Sequence, residues 1–295
     1  MSDRLIKKVA IVGGTHGNEF TGAYLVQDWI KHPQELQRDS FETKVIFANQ
    51  RAFKEARRYI DRDLNRACKL SNLYDLELIQ YEDNLAKELN QIIGPKDRDD
   101  LNVDFVVDLH TTTADMGLSL VLSHENELTW LAASYLSEKF PELHIYRWLG
   151  DEEDAFVDSL GSSGFAIEVG AVPQGVLRAD LFFKTKALVL ALLDFFDHYN
   201  SNCISVGRDV TIYEHVSLVD FPRDNDGNIT AIVHQERQDM DFKKINMGDP
   251  LFITFDGRTI NYEGSESLYG IFINEAAYYE KGFALCLARK VEYTF

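Results

Sequence analysis

Residues 8–20 read KVAIVGGTHGNEF. Val9, Ala10, Ile11 and Val12 form an unbroken apolar run, the mark of a short strand buried on both faces. Gly13-Gly14 ends it. Phe20, Tyr24, Leu25, Trp29 and Ile30 then recur at helical spacing across 18–31. Strand, glycine turn and helix make the first half of a βα unit. In open α/β sheets ligands gather at the carboxyl ends of the strands, where His16 and Glu19 stand.

The same alternation continues outward. Thr43–Asn49, Val103–Leu109, Leu118–Leu122 and Phe165–Val169 read as strands. Between them, Tyr74–Ile93 reads as one long amphipathic helix stopped by Gly94-Pro95, and 126–139 and Arg178–Tyr199 as two more. The pattern predicts an α/β domain with a largely parallel sheet covered on both faces. Near residue 203 the period changes to two, with turns at Asp226-Gly227, Gly248-Asp249-Pro250, Asp256-Gly257 and Glu263-Gly264. Strands are expected at Val210–Val219, Ile229–His234, Leu251–Phe255, Leu268–Ile273 and Phe283–Tyr293. Residues 1–202 and 203–295 are therefore expected to form two domains, the second smaller and β-rich.

The chain has 295 residues, 45% hydrophobic and 26% charged, the composition of a globular protein. Acidic residues outnumber basic ones 48 to 30, for a net charge of −18. Phosphate backbones and anionic membrane surfaces need a basic face, so neither nucleic acid nor membrane is an expected partner. Cys68, Cys203 and Cys286 are widely spaced and odd in number, which points away from a disulfide framework and toward a reducing compartment. The first residues, MSDRLIKKVAIVGG, lack a long apolar core and run directly into the first strand, so a cytoplasmic protein is expected. The acidic run Asp151-Glu152-Glu153-Asp154 reads as a solvated loop.

Four constellations carry chemistry. His16 and Glu19 are zinc-ligand types, although HxxE alone fits equally a loop histidine beside a helix-start glutamate. His110, at the end of VDFVVDL, adds a third ligand type, and Asp108 stands ready to hold its second nitrogen. Two histidines and one glutamate at strand ends favour a catalytic zinc with an open position. In RRYIDRDLNR, Arg57, Arg58, Arg62 and Arg66 crowd ten residues of an acidic chain. Guanidinium groups fork onto carboxylates or polarise carbonyl oxygens, and Asn65 adds neutral donors. A surface salt-bridge patch with Asp61 and Asp63 explains them as well. Glu168, alone in the apolar strand FAIEV, is expensive unless paired, for instance with Arg178, or used as a general base.

Five ordered motifs, GGTHGNE, RRYIDRDLNR, DLHTTT, IEVG-x-x-PQGVLRAD and NEAAYYEK, together resemble the aspartoacylase family of zinc amidohydrolases, over essentially the whole chain. The resemblance implies a carboxypeptidase-like mixed sheet covered by helices, with the β-rich domain closing the substrate pocket. It implies one zinc per chain on His16, Glu19 and His110, with Arg58 polarising the scissile carbonyl and Glu168 as general base and proton donor. Asn65 and Arg66 would grip the substrate α-carboxylate, and Tyr278 would reach in from the second domain. The substrate implied is a small N-acyl-L-amino acid. A homo-oligomer is compatible with the sequence, which does not decide it.

The substrate side chain is read from one segment. Aspartoacylases specific for N-acetylaspartate carry a tyrosine and an arginine upstream of the catalytic glutamate. Counting back from Glu168 places Asp154 and Asp158 there, and 151–164 contains no arginine. The segment resembles the sister branch that deacylates N-acyl aromatic amino acids, so neutral or aromatic substrates are expected. A second carboxylate would need a remote cation such as Arg147 or Arg178. The alternatives are a strict aspartoacylase, a zinc carboxypeptidase, a non-catalytic acyl-amino-acid binding protein, and a structural zinc protein.

Overall fold

The computed structural model describes residues 5–98, 101–150 and 153–295; of the acidic run, Asp151 and Glu152 lie outside the described residues. The strands are β1 Lys8–Gly13, β2 Glu42–Phe47, β3 Phe105–Thr111, β4 Gly117–Leu122, β5 Leu143–Arg147, β6 Gly164–Gly170, β7 Asp209–Val219, β8 Ala231–Val233, β9 Lys244–Ile245, β10 Pro250–Thr254, β11 Thr259–Asn261, β12 Leu268–Ile271 and β13 Leu285–Thr294. The α-helices are α1 Phe20–Lys31, α2 Gln50–Lys54, α3 Leu70–Tyr74, α4 Tyr81–Ile93, α5 Glu127–Lys139 and α6 Ala179–Asn200. One ten-stranded sheet runs β2-β1-β3-β6-β4-β5-β7-β13-β12-β9, and a small sheet runs β11-β10-β8.

The large sheet is mixed. β1 pairs in parallel with β2 and β3, and β3 with β6. β4 runs antiparallel to β6. The reason is length: the five residues 112–116 between β3 and β4 are too few for a crossover, so the chain must turn back. β7 lies parallel to β5 through Tyr146↔Tyr213 and Arg147↔Glu214, so the C-terminal strands continue the main sheet.

On one face of the sheet, Ile11, Leu109, Leu120, Ile145, Ile167 and Ile212 pack against Trp29 of α1, Ala133 of α5 and Leu188 and Phe195 of α6. On the other, Ala10, Val12, Ile46 and Val106 meet Leu64 and the α4 residues Leu89 and Ile93. Period-two alternation then sets the site. In β6, Phe165, Ile167 and Val169 are buried in the helix-covered core, which leaves Ala166 and Glu168 on the opposite face.

Two sequence expectations are corrected. β5, β9 and β11 were not among the expected strands. The helix expected over Tyr74–Ile93 begins only at Tyr81, as α4; Tyr74 ends α3, and 75–80 are not helical. Gln80 and Asp83 form a capping box at the start of α4, and Lys87 Nζ donates to the Asp75 and Leu78 carbonyls at 2.6 and 2.7 Å. These bonds satisfy backbone groups that helical continuation would have used. Among the described residues, no helix is long and apolar enough to cross a membrane.

Candidate active site

After β1 the chain turns through Gly14 at φ +71°. Gly17 follows where a Cβ would lie 2.1 Å from the Ala52 carbonyl carbon, so only glycine fits. Its N–H donates to the Arg58 carbonyl at 3.0 Å. This close approach joins the 14–19 loop to the arginine-rich 57–66 segment.

His16 and Glu19 come from that loop, and His110 from the carboxyl end of β3. All three are buried, and one ligand atom from each lies within 4.8 Å of the others. His16 Nδ1 is 2.6 Å from Glu19 Oε1, and His110 Nδ1 is 2.9 Å from Glu19 Oε2. The two Nδ1 atoms face one another at 3.2 Å. Lone pairs at that distance repel unless a proton or cation lies between them. The far nitrogens are held by carboxylates: His16 Nε2 is 3.0 Å from Asp63 Oδ1, and His110 Nε2 is 2.7 Å from Asp108 Oδ2. Those carboxylates fix the tautomer that turns Nδ1 inward, as in metal centres. The donor set therefore fits a divalent cation with nitrogen and oxygen ligands. Asp108 does what its position implied; Asp63 was read only as an arginine partner.

Arg58 Nη1 donates to Glu19 Oε1 at 3.0 Å, and Nη2 reaches Asp63 Oδ2 at 3.4 Å. Burial works against the Arg58 charge, but Asp63 and Glu19 outweigh it and hold the guanidinium protonated. Burial likewise opposes ionisation of Glu19, and His16 and His110 overcome it, holding the carboxyl below its ordinary range. Glu168 differs. Burial pushes it up to about 8, Glu19 and Glu275 add to the rise, and His110 and Arg58 only partly offset it. Glu168 Oε2 and Arg58 Nε are both buried without a hydrogen-bond partner. An orphaned base and an orphaned donor in one site are what a reaction centre leaves for its substrate.

Both groups line a cavity of about 630 Å³, together with His16, Asn65, Arg66 and Tyr278. Glu19 borders an adjoining hollow with Arg58, Thr111 and Glu168, and His110 lies buried behind it. The structure thus brings all eight candidate residues into one region. Glu168 does not pair with Arg178, which instead forks onto Asp180 at 3.2 and 2.6 Å. The arginine cluster divides: Arg57 meets Glu55 at 3.5 Å and Arg62 meets Asp83 at 2.6 Å, while Arg58 and Arg66 turn inward. Tyr278 arrives on a short turn latched by Glu275. That carboxylate accepts from the Thr113 N–H at 2.6 Å, the Ala114 N–H at 3.2 Å, the Ala277 N–H at 3.0 Å and the hydroxyls of Thr112 and Thr113.

The rest of the cavity is aromatic. Tyr146 and Trp148 from β5 and its end, Phe156, Phe272 and Phe283 form its walls. Tyr146 O–H bonds His215 Nδ1 at 2.7 Å, and Trp148 lies over His215 at 4.6 Å between ring centroids. Sequence reasoning missed Tyr146 and Trp148 in this wall, although the two alternate as one strand face should. Asp158 also lines the cavity; it accepts from Ser123 Oγ at 2.8 Å, and burial raises its pKa above the ordinary carboxyl value. Arg147 is bound by Glu125 and Glu214 outside the cavity. Lys281 does border it, 3.7 Å from Asp63 Oδ2.

Two family models match in succession: the succinylglutamate desuccinylase/aspartoacylase catalytic domain over residues 5–196, and the AstE/AspA barrel-sandwich hybrid domain over residues 208–290. The chain is 46% identical to a probable aspartoacylase of Trichodesmium erythraeum, covering 97% of each. It is 41% identical to the N-acyl-aromatic-L-amino acid amidohydrolase (carboxylate-forming) of Mus musculus, covering 97% of this chain and 92% of that one. The crystal structure of murine aminoacylase 3 superimposes with a TM-score of 0.91 at 40% identity, covering 99% of this chain and 98% of that one.

Proposed function

This chain belongs to the succinylglutamate desuccinylase/aspartoacylase family, and on that premise we propose that it hydrolyses the amide of N-acyl-L-amino acids, releasing a carboxylate and a free amino acid. The observation that carries the reading is the pair of orphaned atoms, Glu168 Oε2 and Arg58 Nε, beside the His16–Glu19–His110 cluster in one cavity. Pure binding needs no buried, unpaired base. A structural metal site would want a fourth protein ligand, and among the described residues the cluster has three.

His16, Glu19 and His110 would hold one zinc ion. Bound there, zinc supplies Lewis-acid polarisation of an amide carbonyl and acidifies a water molecule toward pKa about 7. Glu168 takes the proton from the attacking water and returns it to the leaving nitrogen, which becomes the free amine. Arg58 Nε donates to the carbonyl oxygen as negative charge gathers on it. Asn65 and Arg66 hold the α-carboxylate, and the Tyr278 hydroxyl closes the pocket over the acyl group. We place the boundary between the catalytic and closing domains at 202/203.

The substrate side chain we assign to the aromatic walls. They suit a neutral or aromatic group, and Asp158 opposes a second carboxylate there. Lys281 favours the rival reading, strict action on N-acetyl-L-aspartate, but it sits beside Asp63 and the carboxylate clamp. An unpaired or opposed buried carboxylate costs several kcal/mol, so about 10²-fold in kcat/KM separates the two readings. Metal analysis of the purified protein, with release assays on N-acetyl-Tyr, N-acetyl-Asp and N-acetyl-Glu, tests this. Preference for N-acetyl-Asp would overturn the side-chain assignment; release from none of them would overturn the activity.

A further inference from the structure

Lys96 takes no part in the chemistry above. It follows Gly94-Pro95, the turn that ends α4. Its ammonium donates to the Cys68 carbonyl at 3.0 Å, to Ser159 Oγ at 2.7 Å and to the Asp154 carbonyl. An ammonium has three donors, so these oxygens use all of them. Cys68 ends the segment that carries Asn65 and Arg66. Asp154 and Ser159 belong to 153–160, the segment that walls the cavity. A second tie runs beside the first, from the Cys68 N–H to the Ala155 carbonyl at 3.1 Å. Ser159 Oγ in turn donates to the Phe156 carbonyl at 2.5 Å.

The wall acts directly on the clamp. The Val157 N–H donates to Asn65 Oδ1 at 2.8 Å. That bond commits the amide oxygen and leaves Nδ2, the donor, for a ligand. The Phe156 ring lies 4.7 Å from the Arg66 guanidinium carbon, a stacking that sets the plane of its fork. A carboxylate is recognised only when both donors face it together.

We propose that Lys96 is a positioning residue for the substrate clamp, pinning 153–160 against 63–68 so that Val157 orients Asn65 and Phe156 orients Arg66. This rests on the reading that Asn65 and Arg66 hold the α-carboxylate. One consequence is that the wall facing the substrate side chain and the clamp on its carboxylate are a single mechanical unit.

Lys96→Met keeps the chain length and removes all three donors. In that variant KM for N-acetyl-Tyr rises about tenfold while kcat stays within about threefold, because the lost interaction is shared by ground and transition states. Inhibition by N-acetyltyrosinamide, which has no α-carboxylate, changes less than about twofold. Hydrogen exchange at the Val157 amide accelerates at least about tenfold, since its acceptor is no longer held. A folded variant with unchanged KM and unchanged Val157 exchange overturns the proposal, as does a fall in kcat alone. If Lys96→Met does not accumulate folded protein, Ser159→Ala removes one of the three acceptors. It should raise KM about threefold and speed Val157 exchange; a folded Ser159→Ala variant showing no change in either overturns the proposal. Should the wild type release no N-acyl amino acid, the deacylase reading fails, and Val157 exchange in Lys96→Met still decides whether the pin exists.

Discussion

At the scale of single residues, Glu168 carries the sharpest expectation. Glu168→Gln keeps the shape and removes the base, so kcat on N-acetyl-Tyr should fall at least about 10²-fold with KM little changed. Steady-state kinetics checks it, and a loss under about tenfold would assign the proton transfer to another group. On the proposed reading, His110→Ala should strip most of the bound metal and all turnover, because it removes one of the three ligands found among the described residues and orphans Asp108. Metal content by atomic spectroscopy reads the first effect independently of the second. Glu168, His16 and His110 were legible in the sequence because polar residues in apolar strands or at strand ends are costly and stand out. Asp63 was not, since two aspartates, Asp61 and Asp63, among four arginines look like surface ion pairs. Trp148 was hidden because its strand was not recognised.

At the scale of elements, the turn 275–278 is held by one side chain. Glu275 accepts five hydrogen bonds from the β3–β4 turn and from its own. Every group facing it is a donor, so an amide NH₂ in that place would meet donors. Glu275→Gln should therefore destabilise the protein by about 2–3 kcal/mol and raise KM as Tyr278 loses its seat. Denaturant melts and kinetics measure the two effects separately. Loss of its cap bond to Ala277 alone would cost about 1 kcal/mol and leave KM unchanged. The strands β1, β3, β4, β6, β7 and β13 were legible from periodicity. β5 was not, because His144, Tyr146 and Arg147 interrupt its apolar residues; Tyr146 lines the cavity, His144 stacks on Phe242 and Arg147 pairs with Glu125 and Glu214. The break between α3 and α4 was hidden too: apolar spacing continues across 75–80, and only the Gln80–Asp83 cap and Lys87 interrupt it.

At the scale of the whole molecule, one buried acid ties the segment before β9 to the catalytic layers. Asp241 accepts from the Ile273 N–H at 3.0 Å and the Asp115 N–H at 3.1 Å. Burial pushes it up to about 7, although those backbone donors favour the ionised form. Its ordinary unfolded value is about 3.9. The native state therefore holds the proton that the unfolded chain has already lost, and stability from this group is full below about pH 4 and declines as pH rises to about 7. The melting-temperature advantage of wild type over Asp241→Asn should accordingly shrink between pH 5 and 7.5; a gap that stays constant would mean that Asp241 does not titrate in that window. The change of period near residue 203 was legible as a change of architecture. What it could not reveal is that β7 joins the first sheet, since strand pairing across distant segments leaves no local trace. That joining has a consequence for biosynthesis. On the ribosome β5 is made well before Asp209–Val219, and in the interval it is an open, half-apolar sheet edge with nothing to bond. The nascent chain must carry that edge, together with a catalytic hollow lacking its last wall, until Leu285–Thr294 has emerged and β13 locks β7 in place. Activity and solubility should thus arrive together, once β13 has paired with β7.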